Sequence, residues 1–310
     1  MRLQQLLLQI DLPLFMLGLC ASPVIVTLGG LRWHVLVRLH PGFRPSLTAT
    51  IADYWRSLAV GFVLPGSIGT DAYRALTLAR QTHHHVAAVI LVLVEKCVAL
   101  LACVLLIVVL LPSQMPRYDR MLADRVGDSS GWVIVALAGA GLALGVLWAL
   151  PSVKQAARAL RLRVLRAGRR VSRHVSAAKG ALAQGPRGPA AVQTPRYSAT
   201  GLSAALVLSV LVFVASAAQV HLFFGAVGHH VALGTNLFVA PLLFVVFALP
   251  ISFGTLGVRE AAFLLFYGLF DVPAEPTLLV SFCGLVGILC SYGVGALLLL
   301  RRRRAIQHDG

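Results

Sequence analysis

Two short stretches of this chain are near copies of each other: LPGSIGT at residues 64–70 and LPISFGT at residues 249–255. They share the pattern L-P-x-S-x-G-T, and Arg74 or Arg259 follows four residues after each threonine, so the offset is 185 throughout. Both stretches lie in apolar sequence, where proline and glycine interrupt a helix. Each predicts two half-helices joined by a turn within a membrane, which is a re-entrant hairpin. The alternative is a pair of unrelated proline kinks.

The composition excludes an ordinary soluble protein. Of the 310 residues, 58% are hydrophobic and only 12% are charged, and the mean hydropathy is +0.84. Soluble domains carry about 25% charged residues, so this chain has too few to cover a globular surface. We therefore expect a polytopic membrane protein.

Five apolar segments reach the length of about 20 residues that a helix needs to cross the hydrocarbon core. They are residues 12–31 (39 at the longest), 86–111, 131–150, 198–227 and 276–300. The two interrupted stretches, residues 51–80 and 236–270, add the hairpins. The predicted fold class is all-α, a membrane helix bundle with two broken, re-entrant helical hairpins related as an inverted repeat.

The basic residues predict how the chain is oriented. The net charge is +16, yet 11 of the 27 Lys and Arg residues lie in residues 154–196, which contain no acid, and four more occupy residues 301–304. Basic loops mark the cytoplasmic side of a membrane protein. We expect this loop and the C-terminus to be cytoplasmic in an inner-membrane protein. Orientation explains the charge without binding of nucleic acid.

This orientation divides a single membrane domain into two inverted halves. Residues 12–111 form one half and residues 198–300 the other, with a linking helix at 131–150 and a basic cytoplasmic loop at 151–197 between them. If the hairpin arms cross the membrane fully, their ends fall on the same sides. Many transporters build a substrate site where such repeats meet near the midplane.

The repeated turns predict an anion site. The amide groups at a helix N-terminus and the positive end of its dipole favour an anion, and arginine matches phosphate oxygens. We expect half-helices to begin after Gly69 and Gly254 with threonine caps. The predicted substrate contacts are Arg74, Arg259, Thr70, Thr255, Ser67, Ser252, Gly69 and Gly254. Alternatively, the arginines pair with Asp71 and Glu260 or reach the interface.

Glu95 stands about ten residues inside an apolar segment. An ionisable residue within a membrane segment indicates function by default. We expect Glu95, with Asp71 and Glu260, to partner an arginine or carry a proton. A purely structural buried ion pair explains Glu95 equally well.

The sequence predicts neither a metal nor a cofactor. The five cysteines lie in apolar segments and lack the spacing of metal ligands, so we interpret them as packing residues. Consecutive histidines at 83–85 and 229–230 cannot share one helix face. Nucleotide-binding and hydrolase motifs are missing from the chain.

The sequence elements that carry a family resemblance are Arg32-Trp33, residues 64–66 through Arg74, Glu95-Lys96, LPIS at 249–252 with Gly254, and GVREA at 257–261. Together they resemble the membrane domain of lysylphosphatidylglycerol synthases. The resemblance covers nearly the whole chain, and GVREA is its most specific element. It implies membership of a flippase-like integral membrane family. In its large members this region accompanies a soluble aminoacyl-transfer domain and is tied to moving lipid across the bilayer. We expect this chain to represent the membrane part alone.

The predicted function is an inner-membrane flippase or transporter for an anionic lipid or lipid-linked head group, working by alternating access. The expected partners are anionic membrane lipids and enzymes of lipid synthesis. The alternative is a membrane-embedded subunit or scaffold of an aminoacyl- or glycosyl-transfer enzyme that modifies lipids. Such an enzyme would use Glu95 or Glu260 as a base.

Overall fold

A computed structural model describes residues 10–40, 43–63, 68–82, 84–123, 198–248 and 257–308. Every regular element in these ranges is an α-helix, which confirms the predicted fold class. The helices are α1 (Leu12–Val37), α2 (Leu47–Val63), α3 (Ile68–Thr82), α4 (His85–Ala123), α5 (Ala199–Ala226), α6 (Leu233–Ala248), α7 (Val258–Gly268) and α8 (Ala274–His308).

Four of the described helices are long and apolar enough to span a membrane: Leu12–Val37, His85–Gln114, Ala199–Ala226 and Ala274–Arg301. They match four of the five predicted segments. Their outer faces expose large aliphatic side chains, as at Val109 and Leu297, which suits contact with lipid tails. The predicted linking helix at 131–150 and the basic loop at 151–197 lie outside the described residues.

Helices α1 and α5 pack along each other. Asp11 caps α1 by accepting a hydrogen bond from the Leu14 amide at 3.1 Å. Small residues permit the close approach, since a Cβ at Gly18 would lie 2.5 Å from the Phe223 ring. Gln219 crosses the interface and donates to the Ser22 hydroxyl at 2.6 Å. This pair forms the frame on which both interrupted stretches pack.

The first interrupted stretch contains α2 and α3, which pack against each other. Gly61 and Gly69 lie where the two arms are closest, and a Cβ on Gly69 would lie 2.6 Å from the Val60 carbonyl oxygen. The predicted turn falls on residues 64–67, which lie outside the described residues. Helix α3 begins at Ile68, so Thr70 lies within its first turn. The predicted threonine cap is therefore wrong here, because the helix starts before Gly69.

The second interrupted stretch contains α6 and α7, which also pack against each other. Helix α7 begins at Val258, and Gly257 precedes it as N-cap with a φ of 80°. Glycine adopts this left-handed conformation without steric cost. Glu260 accepts a hydrogen bond from the Gly257 amide at 2.6 Å. The predicted cap at Thr255 is therefore wrong, since the helix starts three residues later.

The two arginines consequently occupy different positions on their helices. Arg74 lies in the middle of α3, whereas Arg259 is the second residue of α7. The pseudo-symmetry suggested by the sequence offset therefore does not extend to equal helix starts. An inverted repeat stays a prediction.

Candidate functional site

Glu95 is the centre of a buried charge cluster that joins three helices. Its Oε1 accepts a hydrogen bond from Arg32 Nη2 of α1 at 2.8 Å. Its Oε2 accepts from Arg74 Nη1 of α3. Glu95 is 1% exposed, and both guanidiniums are also buried. Each oxygen of this carboxylate thus accepts a hydrogen bond from a different arginine.

A second carboxylate, Asp71, shares Arg74 with the first. Its Oδ1 accepts from Arg74 Nη2, and its Oδ2 lies 3.1 Å from Lys96 Nζ of α4. Arg74 Nε also donates to the Thr70 carbonyl at 3.4 Å. Every nitrogen of the Arg74 guanidinium therefore donates within the protein.

Aromatic rings fix the position of Arg74. The central carbon of its guanidinium lies 5.1 Å from the centroid of Trp33 and 5.0 Å from that of Tyr54. These distances fall within the range of cation–π attraction, about 6 Å. Trp33 lies next to Arg32 on α1, so the pattern Arg-Trp supplies both an ion-pair partner and an aromatic wall.

The charges in this cluster stabilise one another only as a set. Removing one partner of a buried pair leaves an uncompensated charge, which typically costs about 3–5 kcal/mol. Arg32 also donates to the Ser209 hydroxyl of α5 at 3.3 Å, while its Nε is buried without a hydrogen-bond partner. The cluster therefore links α1, α3, α4 and α5.

A cleft opens beside this cluster, between α1, α2 and α3. Its empty volume, including its open mouth, is about 360 Å³. Its walls combine aromatic, aliphatic and polar side chains with one guanidinium: Trp33, Val37, Phe43, Pro45, Ala49, Thr50, Asp53, Arg74, Thr77, Leu78 and Gln81. The lining of this cleft is thus mixed, and Arg74 is the buried basic side chain that it reaches.

Arg259 lies in different surroundings. It is 5% exposed, and Nε donates to the Ser281 hydroxyl of α8 at 3.3 Å. Its guanidinium carbon lies 5.9 Å from the Phe247 ring centroid and 5.4 Å from that of Phe263. Within the described residues it forms no ion pair. Burying a charge is costly unless it is paired and hydrogen-bonded, and the described contacts of Arg259 are one hydroxyl group and two aromatic rings.

The backbone of α8 approaches the Arg259 side chain closely. A Cβ on Gly284 would overlap the Nη2 atom of Arg259. Glycine at this position therefore gives the guanidinium room to lie against α8. Sequence reasoning offered no sign of this contact, because it depends on packing between two helices.

The predicted site residues are only partly brought together. Arg74, Asp71 and Glu95 form one cluster, with Thr70 beside it. In the part of the chain that the structure describes, Arg259 has no hydrogen bond or ion pair to that cluster. Helix α3 packs on α2 and α4, whereas α7 packs on α6 and α8. Ser67, Ser252, Gly254 and Thr255 lie outside the described residues. That both arginines contact one substrate stays a prediction.

Glu260 and Gly69 have structural positions in this arrangement. Glu260 caps α7 through Oε2, and its Oε1 is buried without a hydrogen-bond partner. Gly69 lies against the backbone of the opposite hairpin arm. These contacts explain both residues without a substrate.

Sequence reasoning missed Arg32 as a partner of Glu95. The signal was present, because Arg32 lies in a long apolar segment, and an intramembrane charge indicates a partner or a function. The sequence could not show which of several arginines would meet Glu95. Both Arg32 and Arg74 do.

The described residues contain no group of three or more His, Cys, Asp or Glu side chains arranged to hold a metal ion. His84 packs against the ring of His40, with centroids 5.2 Å apart. His83 lies outside the described residues.

Comparison with known proteins agrees with the resemblance drawn from the motifs. Neither the curated proteins nor the solved structures provide a match to this chain. The family model described as the lysylphosphatidylglycerol synthase TM region matches residues 2–284. That range includes Arg32, Arg74, Glu95 and Arg259. The chain is therefore a multi-pass membrane protein that belongs to the lysylphosphatidylglycerol synthase TM region family.

Proposed function

We propose that this protein moves an anionic lipid, or a lipid-linked anionic head group, across the inner membrane. In this proposal the basic loop and the C-terminus are cytoplasmic. The observation that carries the proposal is a pair of buried arginines, each on a helix of an interrupted stretch, within a family of membrane proteins. Arg74 lines a cleft of mixed polar and apolar side chains, and Arg259 forms no ion pair in the described residues.

The chemistry of the two arginines supports an anionic substrate. A guanidinium offers paired donors that match the oxygens of a phosphate. Its attraction for an anion is strong where water is scarce. The lipid head group contacts Arg74 and Arg259, while the acyl chains remain in the bilayer.

The interrupted helices support movement. Broken helices in transporters allow one part to rock against the other around a substrate site. The short arms α2, α3, α6 and α7 carry or flank the arginines, whereas α1 and α5 form a packed frame. Rocking of the arms against this frame exposes the arginines to each side in turn. A gradient, or consumption of lipid on one face, sets the direction.

Glu95 is poorly suited to the alternative role of a base in a lipid-modifying enzyme. Both of its oxygens already accept hydrogen bonds from guanidiniums, so neither oxygen is free to accept a hydrogen bond from a lipid hydroxyl in this arrangement. If the protein were part of a lipid-modifying enzyme, membranes that contain it would hold a covalently altered lipid. If it were a scaffold, its loss would mislocalise a partner enzyme.

The test is lipid movement in proteoliposomes that contain head-group-labelled phosphatidylglycerol, with labelled phosphatidylcholine as a zwitterionic control. The proposal predicts movement of phosphatidylglycerol above the rate in protein-free vesicles. Mass spectrometry of the same vesicles checks for modified lipid. Absence of movement together with a new covalent lipid product would replace the transporter by an enzyme.

A further inference from the structure

The carboxylates that hold Arg74 each have a second cation. Glu95 contacts Arg74 through one oxygen and Arg32 through the other. Asp71 contacts Arg74 through one oxygen and Lys96 through the other, at 3.1 Å. The same arrangement therefore occurs twice around one guanidinium, with partners from α1 and from α4.

This arrangement bears on how an anion reaches Arg74. A phosphate placed next to two carboxylates would meet like charge, which is unfavourable in a buried site. Binding is favourable if the carboxylates withdraw from Arg74 as the phosphate arrives. A carboxylate that withdrew without another cation would be buried and unpaired. Arg32 and Lys96 prevent that outcome.

We propose that Arg32 and Lys96 are holding cations: they retain Glu95 and Asp71 when an anionic phosphate group takes Arg74. Arg74 thus exchanges internal carboxylates for substrate, and the carboxylates replace the substrate when it leaves. Arg32 and Lys96 act through the carboxylates and are positioning residues without direct contact with the phosphate. This inference rests on the proposed function for the ligand and adds the mechanism by which Arg74 is released.

Burial separates the two holding cations in strength. The Arg32 side chain is 11% exposed, whereas the Lys96 side chain is 34% exposed. Water compensates the Asp71 carboxylate, whose side chain is 20% exposed, better than the Glu95 carboxylate, whose side chain is 2% exposed. Arg32 is therefore the more important of the two, and its loss has the larger effect.

The test measures binding of dihexanoyl-phosphatidylglycerol to the full chain in detergent by titration calorimetry. The Arg74→Gln variant defines the part of binding that depends on Arg74. We expect Arg32→Gln to weaken the Arg74-dependent affinity at least tenfold, because Arg74 is then the remaining ion-pair partner of Glu95 and is released to the lipid less readily. Glu95→Gln binds as tightly as the wild type or more tightly.

The double variant Arg32→Gln/Glu95→Gln distinguishes a holding cation from a direct ligand. The double variant lacks the carboxylate that competes for Arg74, so we expect its affinity for the lipid to lie within about threefold of that of Glu95→Gln. The difference between the effect of Arg32→Gln in the wild type and in Glu95→Gln measures the coupling of the two residues. A double variant as weak as Arg32→Gln would overturn the inference and make Arg32 a contact for the lipid. Wild-type affinity in Arg32→Gln would also overturn it.

A second cycle covers the case in which Arg32 variants fail to fold. Lys96 lies at a more exposed position than Arg32, and we expect Lys96→Gln to weaken Arg74-dependent binding only about threefold. Lys96→Gln/Asp71→Asn should restore it. Equal affinity in the wild type and Lys96→Gln would overturn the inference for this pair.

Two further arms separate the inference from the proposed function. Inorganic phosphate replaces the lipid as probe in the same titrations. Binding of phosphate but not lipid, with both cycles intact, supports the exchange of partners and contradicts lipid transport. If the wild type binds lipid and phosphate no more tightly than Arg74→Gln does, both the inference and the proposed function are overturned. Intact cycles without lipid movement in vesicles overturn only the transporter.

Discussion

Glu95 of α4 and Arg32 of α1 lie 63 residues apart in sequence, and Oε1 of one is 2.8 Å from Nη2 of the other. The same carboxylate holds Arg74 of α3 through its second oxygen. Two basic side chains from separate helices thus share one acid, and Arg74 has Asp71 as a second partner. The interrupted first half of the chain is tied to its frame by charge as well as by apolar packing.

Replacing Glu95 by alanine should destabilise the protein by about 3–5 kcal/mol, because two buried guanidiniums lose a shared partner. Glu275→Gln in the first turn of α8 is the control. It removes an acid from a helix N-terminus, where the loss is at most about 1 kcal/mol. Unfolding of the detergent-solubilised protein by urea measures both. Equal losses in the two variants would show that the Glu95 ion pairs contribute no net stability.

Replacing Gly284 by alanine should disturb Arg259 without removing its charge. The added methyl group would overlap the guanidinium against α8, so the side chain must move away from Ser281. We expect at least a tenfold loss of lipid movement, equivalent to about 1.4 kcal/mol.

Gly293→Ala on the same helix is the matched control for Gly284→Ala, since nothing lies within 4 Å of the added Cβ there. It should retain wild-type movement of lipid in the same vesicles. If both alanine variants were equally active, the position of the Arg259 guanidinium against α8 would be irrelevant to transport.

Replacing Gly69 by alanine should force the two arms of the first hairpin apart. Its Cβ would lie 2.6 Å from the Val60 carbonyl oxygen, and backbone atoms cannot move as a flexible side chain does. Overpacking of this kind typically costs about 1–3 kcal/mol. Thermal unfolding should show a lower midpoint for Gly69→Ala, whereas Gly268→Ala, with open space around it, should unfold like the wild type. A Gly69→Ala midpoint at the wild-type value would contradict the close packing of α2 on α3.

The orientation predicted from charge can be measured with a reporter fused after the C-terminus. Four consecutive arginines follow the apolar part of α8, and the positive-inside rule places such a cluster in the cytoplasm. A green fluorescent protein fusion should be fluorescent, and an alkaline phosphatase fusion at the same point should be inactive. The reverse pattern would invert the whole predicted topology.

The membrane helices were predictable because length and apolar composition alone decide whether a helix crosses a bilayer. The predicted segment at 86–111 lies inside α4, and the predicted segment at 198–227 nearly coincides with α5. That new helices begin near Ile68 and Val258 was also predictable, since proline and glycine in the preceding stretches leave backbone groups without helical partners.

The helix starts were less predictable from the repeated motif. The two copies of the seven-residue motif predicted that both helices would have the same threonine cap. Helix α7 instead begins after Gly257, whose φ of 80° and hydrogen bond to Glu260 define the start. Glu260 was considered only as a partner for an arginine. Local capping chemistry therefore decided a boundary that the repeat pattern placed three residues earlier.

The candidate site was predictable in its residue types and only partly in its pairing. A buried Arg74 and a buried Glu95 follow from charges in apolar segments. Their contact with Arg32 depends on how α1 packs beside α3 and α4, which a single sequence does not specify. The contrast between Arg74, which shares two carboxylates, and Arg259, which has Ser281 and two aromatic rings, likewise follows from tertiary packing.

The most direct test of the account is lipid movement in proteoliposomes by the wild type, Arg74→Ala and Arg259→Ala, each verified as folded by size-exclusion chromatography. The account predicts that the wild type moves labelled phosphatidylglycerol faster than phosphatidylcholine. It also predicts that each substitution reduces movement of phosphatidylglycerol at least tenfold, or about 1.4 kcal/mol. Equal movement of both lipids, or undiminished movement of phosphatidylglycerol by folded Arg74→Ala and Arg259→Ala, would contradict it.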